Sequence, residues 1–61
     1  MFVLVELTSK PKIVGQEKSY KKAINRAMEW SAKTGLSVEI QTEKREVIDT
    51  IRSWAERDYH D

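Results

Sequence analysis

The chain has no cysteine, one histidine, one proline and two glycines in 61 residues. Without cysteine there is no disulfide framework, no thiolate metal site and no thiol nucleophile. The only histidine, His60, stands beside Asp58 and Asp61. One imidazole with solvated carboxylates does not enforce a coordination geometry, so no metal is expected. Ser9, Ser19, Ser31, Ser37 and Ser53 have only that imidazole to serve as a base, which leaves a nucleophilic triad without its parts. Glu43 and Glu46 form a paired-carboxylate candidate for acid–base work, but they lie in a charged run that stays solvated. Gly15 and Gly35 are too far apart to build a phosphate-cradling loop, and no cofactor is expected. The longest apolar run, residues 1–5, is five residues long. A signal-peptide core needs about 7–15 residues and a membrane span about 20. No charge sign dominates either: eleven Lys and Arg face ten Asp and Glu. Bulk charge therefore does not coat nucleic acid or an anionic membrane. The expectation is a small cytoplasmic protein that is not an enzyme and does not engage a membrane.

What is present is a sequence of short, readable elements. Phe2-Val3-Leu4-Val5-Glu6-Leu7 is β-branched, aromatic and nearly continuous in apolar character, which predicts a strand. One face carries Phe2, Leu4 and Glu6, the other Val3, Val5 and Leu7. The second set is wholly apolar and is expected to face the core. Thr8-Ser9-Lys10-Pro11 is turn chemistry. Residues 12–18 read as a returning strand, with Gly15 marking a bulge or a close approach of a helix; the alternative is a loop over 8–18.

Residues 19–33 give the strongest pattern. Tyr20, Ala23, Ile24, Ala27, Met28 and Ser31 form one stripe of a 3.6-residue period, with Trp30 on its edge. Ser19 is placed as the N-cap, and Gly35 is placed to take the left-handed conformation just past the end. Lys22, Arg26, Glu29 and Lys33 form the outer face. Leu36, Val38 and Ile40 then alternate with Ser37, Glu39 and Gln41, which predicts a half-buried strand.

Residues 42–61 fit two templates. Val47, Ile48, Ile51, Trp54 and Ala55 fall on a helical stripe that Thr42 could cap, giving a second helix over 43–59 and a ββαβα order. Alternatively Glu43-Lys44-Arg45 is a charged hairpin turn and residues 46–52 are a strand. Asp49, on the same alternating face as Val47 and Ile51, is the weakness of that reading.

A set of short features bears on the choice: Ser19-Tyr20-Lys21-Lys22-Ala23, Thr34-Gly35, Val38-Glu39-Ile40, and Arg45-Glu46-Val47-Ile48-Asp49-Thr50-Ile51. Their layout resembles that of small phage-encoded and prophage-encoded accessory and early proteins. Those have an N-terminal hairpin, an S-x-x-x-A helix ending in T-G, a V-x-V strand, then a basic residue before V-V-x-T-V. The resemblance covers about residues 2–52. It implies an α+β fold in which one amphipathic helix packs on a small antiparallel sheet in the order ββαββ. Residues 1–52 then make a single small domain, and residues 53–61 a helical or mobile tail. It also implies a protein that binds and inhibits a host enzyme in the host cytoplasm. Asp49 departs from the pattern, which has a small apolar residue there, and no functional residue carries across.

The distribution of charge suggests where a partner sits. Residues 1–35 hold seven Lys and Arg against three acids, and residues 36–61 hold four against seven. Lys18, Lys21, Lys22, Arg26 and Lys33 make a candidate basic strip for phosphates or an acidic protein. The plainer reading is a solubilising helix surface. Arg52, Trp54, Arg57 and Tyr59 make the other candidate, because Trp, Tyr and Arg dominate binding hot spots. The plainer reading there is that Trp54 closes a thin core. The expected function is a non-enzymatic binding module that binds and inhibits or modulates a larger host protein. The second reading is a nucleic-acid-binding accessory protein using the basic helix face, and the third is a structural, self-associating homo-oligomer.

Overall fold

A computed structural model describes residues 1–53. The order is β1 (Phe2–Leu7), β2 (Lys12–Glu17), α1 (Tyr20–Thr34), β3 (Ser37–Gln41) and β4 (Val47–Ile51), the expected ββαββ. The strands form one antiparallel sheet in the order β2-β1-β3-β4, and α1 packs on one of its faces. Residues 47–51 are a strand, so a second helix over 43–59 is ruled out.

The helix ends are built as their sequence dictates. Ser19 is extended, and its Oγ accepts the Lys22 N–H at 3.4 Å. Gly35 takes φ 72°, and its N–H donates to the Ser31 carbonyl at 2.9 Å. The 42–46 turn has its own logic. The Arg45 N–H donates to the Thr42 carbonyl and the Thr42 N–H to the Glu46 carbonyl, both at 2.9 Å. Thr42 Oγ1 also accepts the Glu46 N–H at 3.2 Å, so Thr42 caps a hairpin instead of a helix. The turn places Arg45 at φ 70°, where a side chain is disfavoured.

The core consists of Leu4, Ala23, Ala27, Val38 and Ile40, with Phe2, Val14, Ile24, Trp30 and Ile51 packed around it. This reverses the expected orientation of β1: Phe2, Leu4 and Glu6 face the helix, and Val3, Val5 and Leu7 lie on the other face. The reason is long-range. On β3 only Val38 and Ile40 are apolar, so they must take the helix side. The register pairs Leu4 with Ile40 and Glu6 with Val38, and paired residues share a face. Val3 and Val5 are nonetheless buried on the outer face. The helix stripe is also narrower than expected. Ala23, Ala27 and Ser31 are buried and Ile24 is half-buried, whereas Tyr20 is exposed and Met28 is 54% exposed. Three small residues on the buried stripe let the helix lie close to the sheet, which leaves Tyr20 and Met28 uncovered.

Candidate interaction surface

The α1–β2 side brings together several charged side chains among the described residues. It begins at Gly15, which pairs with Leu4 beside an irregularity in the β1–β2 register. Gly15 meets both of its expectations, the bulge and the close approach of α1. A Cβ at this position would lie 3.0 Å from Arg26 Cζ, so the guanidinium lies directly over the glycine. Arg26 Nη1 donates to Glu17 Oε2 at 2.7 Å, tying the helix to the end of β2. One turn further along α1, Trp30 Nε1 donates to Glu6 Oε2 at 2.8 Å. Glu6 is 8% exposed on the helix face, and the indole N–H is what makes a carboxylate tolerable there.

Glu17, Arg26, Glu29, Trp30 and Lys33 line a shallow cleft of about 320 Å³. A second concavity of about 430 Å³, lined by Met1, Gln16, Glu17, Lys18, Ser19 and Lys22, adjoins it through Glu17. Cations and carboxylates alternate around a half-buried indole: Arg26 with Glu17, and Lys33 with Glu29 at 3.6 Å. Lys18 and Lys22 form no ion pair among the described residues.

Of the five residues of the expected basic strip, the fold brings together Lys18, Lys22, Arg26 and Lys33. Lys21 is separated from them. At 100° per residue it lies seven positions before Met28, on the opposite flank of the helix. Of the other candidate set, Arg52 is exposed just past β4, whereas Trp54, Arg57 and Tyr59 lie outside the described residues, as does His60. The residues the sequence did not single out are Glu6 and Glu17, and the only local signal was the charge interrupting an apolar run at Glu6.

The β4 side differs. Tyr20 OH donates to Asp49 Oδ2 at 2.8 Å, and the Thr50 N–H donates to Asp49 Oδ1 at 2.8 Å. The hydrogen bond to the carboxylate, with partial desolvation and the nearby negative charge, holds the Tyr20 phenol above its ordinary pKa of 10.0. Tyr20 also packs on Phe2, ring centroids 5.6 Å apart and tilted by 59°. At the hairpin turn, the Met1 ammonium donates to Glu43 Oε1 at 2.7 Å and holds that carboxyl below its ordinary 4.5.

Among the described residues there is no cluster of three or more His, Asp or Glu able to hold a metal ion. No helix among them is long and apolar enough to cross a membrane. No protein-family model matches the chain, and no curated protein or solved structure is significantly similar to it.

Proposed function

We propose that the chain is a non-enzymatic binding module that engages a larger protein through its α1–β2 side and modulates it by covering part of its surface. If the chain is phage-encoded, that protein belongs to the host. The observation that carries this reading is the alternation of Lys18, Lys22, Arg26 and Lys33 with Glu17 and Glu29 around the half-buried Trp30. An aromatic and an arginine in a partly desolvated cleft are the residue types that dominate protein interfaces. A standard interface takes about 800 Å² from each partner. The chain exposes 4491 Å², so such a contact engages a modest part of it.

The same observation favours protein over nucleic acid. A phosphate backbone is attracted by clustered, unpaired cations. Here two of the four cations already hold carboxylates, and Glu17 and Glu29 repel phosphate at the centre of the surface. A protein surface carrying both signs, acidic where it meets Lys18 and Lys22, fits this arrangement.

The test is affinity capture from lysate with and without nuclease, followed by affinity measurement on the captured protein. Replacing Lys22 and Lys33 by Glu is expected to weaken binding at least tenfold, about 1.4 kcal/mol, while melting stays unchanged. Capture that disappears with nuclease, or affinity that falls by several powers of ten between low and moderate salt, would establish the nucleic-acid reading instead.

A further inference from the structure

The two edges of the sheet are finished differently. Both edge strands carry a register irregularity, but β2 adds further devices against strand addition: Pro11 just before it, Lys12 within it and Arg26 lying across Gly15. β4 has no proline, glycine or lysine. Four of its five residues are β-branched, Val47 is 51% exposed and Ile48 is 44% exposed. By composition it is the better template for a further strand.

Besides its register irregularity, β4 has a side-chain feature that works against casual pairing. Asp49 Oδ1 accepts the Thr50 backbone N–H at 2.8 Å, while Oδ2 is held by Tyr20 OH. A side chain thus occupies a donor of the edge strand, and the phenol on α1 holds that side chain in place. We propose that β4 is a strand-addition edge gated by Asp49, and that its occupant is an extended segment of another protein carrying a Lys or Arg opposite Asp49. When that segment docks, a backbone carbonyl takes over the Thr50 N–H, and the freed carboxylate pairs with the incoming cation.

Charge selects this occupant over a second copy of the chain. Two β4 strands paired antiparallel about Asp49 set two carboxylates directly opposite each other, which disfavours the pair. A segment with a central cation meets attraction at the same position. This edge lies on the opposite side of the sheet from the α1–β2 surface, so the inference stands or falls independently of the proposed function.

The experiment uses the full chain, isotope-labelled, and two seven-residue peptides of alternating Thr and Val, one with a central Lys and one with a central Glu. Amide shifts and exchange rates are read over the whole backbone. The Lys peptide is expected to slow exchange in Val47–Ile51 about tenfold and leave Lys12–Glu17 unchanged, and the Glu peptide to do neither. Equal effects of the two peptides, no effect of either, or protection at β2 would overturn the proposal. In a second arm, Asp49→Ala removes both the acceptor and the repulsion. Its mass is expected to rise with concentration towards twice that of the parent, with the circular dichroism spectrum retained; a folded variant whose mass does not rise would remove the gate. Should that variant not fold, Asp49→Asn keeps an acceptor without charge and is expected to bind both peptides alike. Continued preference for the Lys peptide in that variant would contradict the role of the carboxylate.

Discussion

The two flanks of α1 show how one small sheet handles two different problems. On the β2 flank, charged side chains are used in pairs: Arg26 spans Gly15 to reach Glu17, and Trp30 reaches down to Glu6. The edge is closed, and what it offers outward is a mixed-charge surface. On the β4 flank a single carboxylate, Asp49, serves both Tyr20 on the helix and the backbone of its own strand. There the outward surface is apolar and β-branched. Both flanks rest on the same five core residues. The difference therefore comes from what each flank adds to a shared core.

The largest expected effect comes from removing that shared core. Ile40 is fully buried on β3. Ile40→Ala is expected to cost on the order of 2–5 kcal/mol, enough to lower thermal melting steeply or unfold a chain this size. Both flanks should be lost in one transition, followed by circular dichroism and tryptophan fluorescence together. Next comes the β2 flank alone. Trp30→Phe leaves the Glu6 carboxylate buried without its donor, at a cost of about 1–3 kcal/mol. Replacing Glu6 by Gln in that variant removes the buried charge and should recover part of the loss in urea unfolding.

A smaller effect lies at the turn leading into β4. Arg45 occupies a left-handed conformation at φ 70°, which glycine adopts without strain. Arg45→Gly also gives up the bond from Arg45 Nε to Gln41 Oε1 at 2.7 Å. The two terms oppose each other, and a net gain below about 1 kcal/mol is expected in chemical denaturation. The smallest effects are in the pH profile. The folded Tyr20 phenol titrates above its ordinary 10.0, so its contribution is complete below pH 10 and is lost as pH rises through the higher folded value. Tyr20→Phe should flatten the alkaline limb. The folded Glu43 carboxyl titrates below its ordinary 4.5, so its contribution is present above that value and is lost as pH falls through the lower folded one. Glu43→Gln should flatten that part of the acid limb. Both groups are exposed, and salt should reduce both effects.

Much of the α1 region was legible in the sequence because its signals are local. Ser19, the 3.6-residue stripe and Gly35 all lie within one segment, and β3 announces itself by alternation. The orientation of β1 was not legible, because both of its faces are apolar and the choice depends on pairing with Ile40 and Val38 more than thirty residues away. β4 was ambiguous for a related reason. Val47, Ile48 and Ile51 satisfy a helical stripe, and only pairing with β3 makes them a strand. The register shift between Ile40 and Gln41 separates Asp49 from Val47 but leaves it on the face of Ile51, where the Tyr20 hydroxyl accommodates it. Val47 pairs with Gln41 on the outer face, whereas Asp49 and Ile51 pair with Ile40 and Val38 on the helix face. On the interaction surface, Lys22, Arg26 and Lys33 were readable from the phase of the helix, and Lys21 fails by the same phase. Glu17 and Glu6 were missed because their partners lie on another element.

The contrast between the flanks is tested most directly by amide exchange in the chain alone, comparing the parent with Asp49→Ala. The Asp49 carboxylate holds the Thr50 amide. At a concentration low enough to prevent association, that amide should exchange about tenfold faster in the variant, while the Lys12–Glu17 amides keep their parent rates. Unchanged exchange at Thr50, or equal acceleration on β2 and β4, would contradict it.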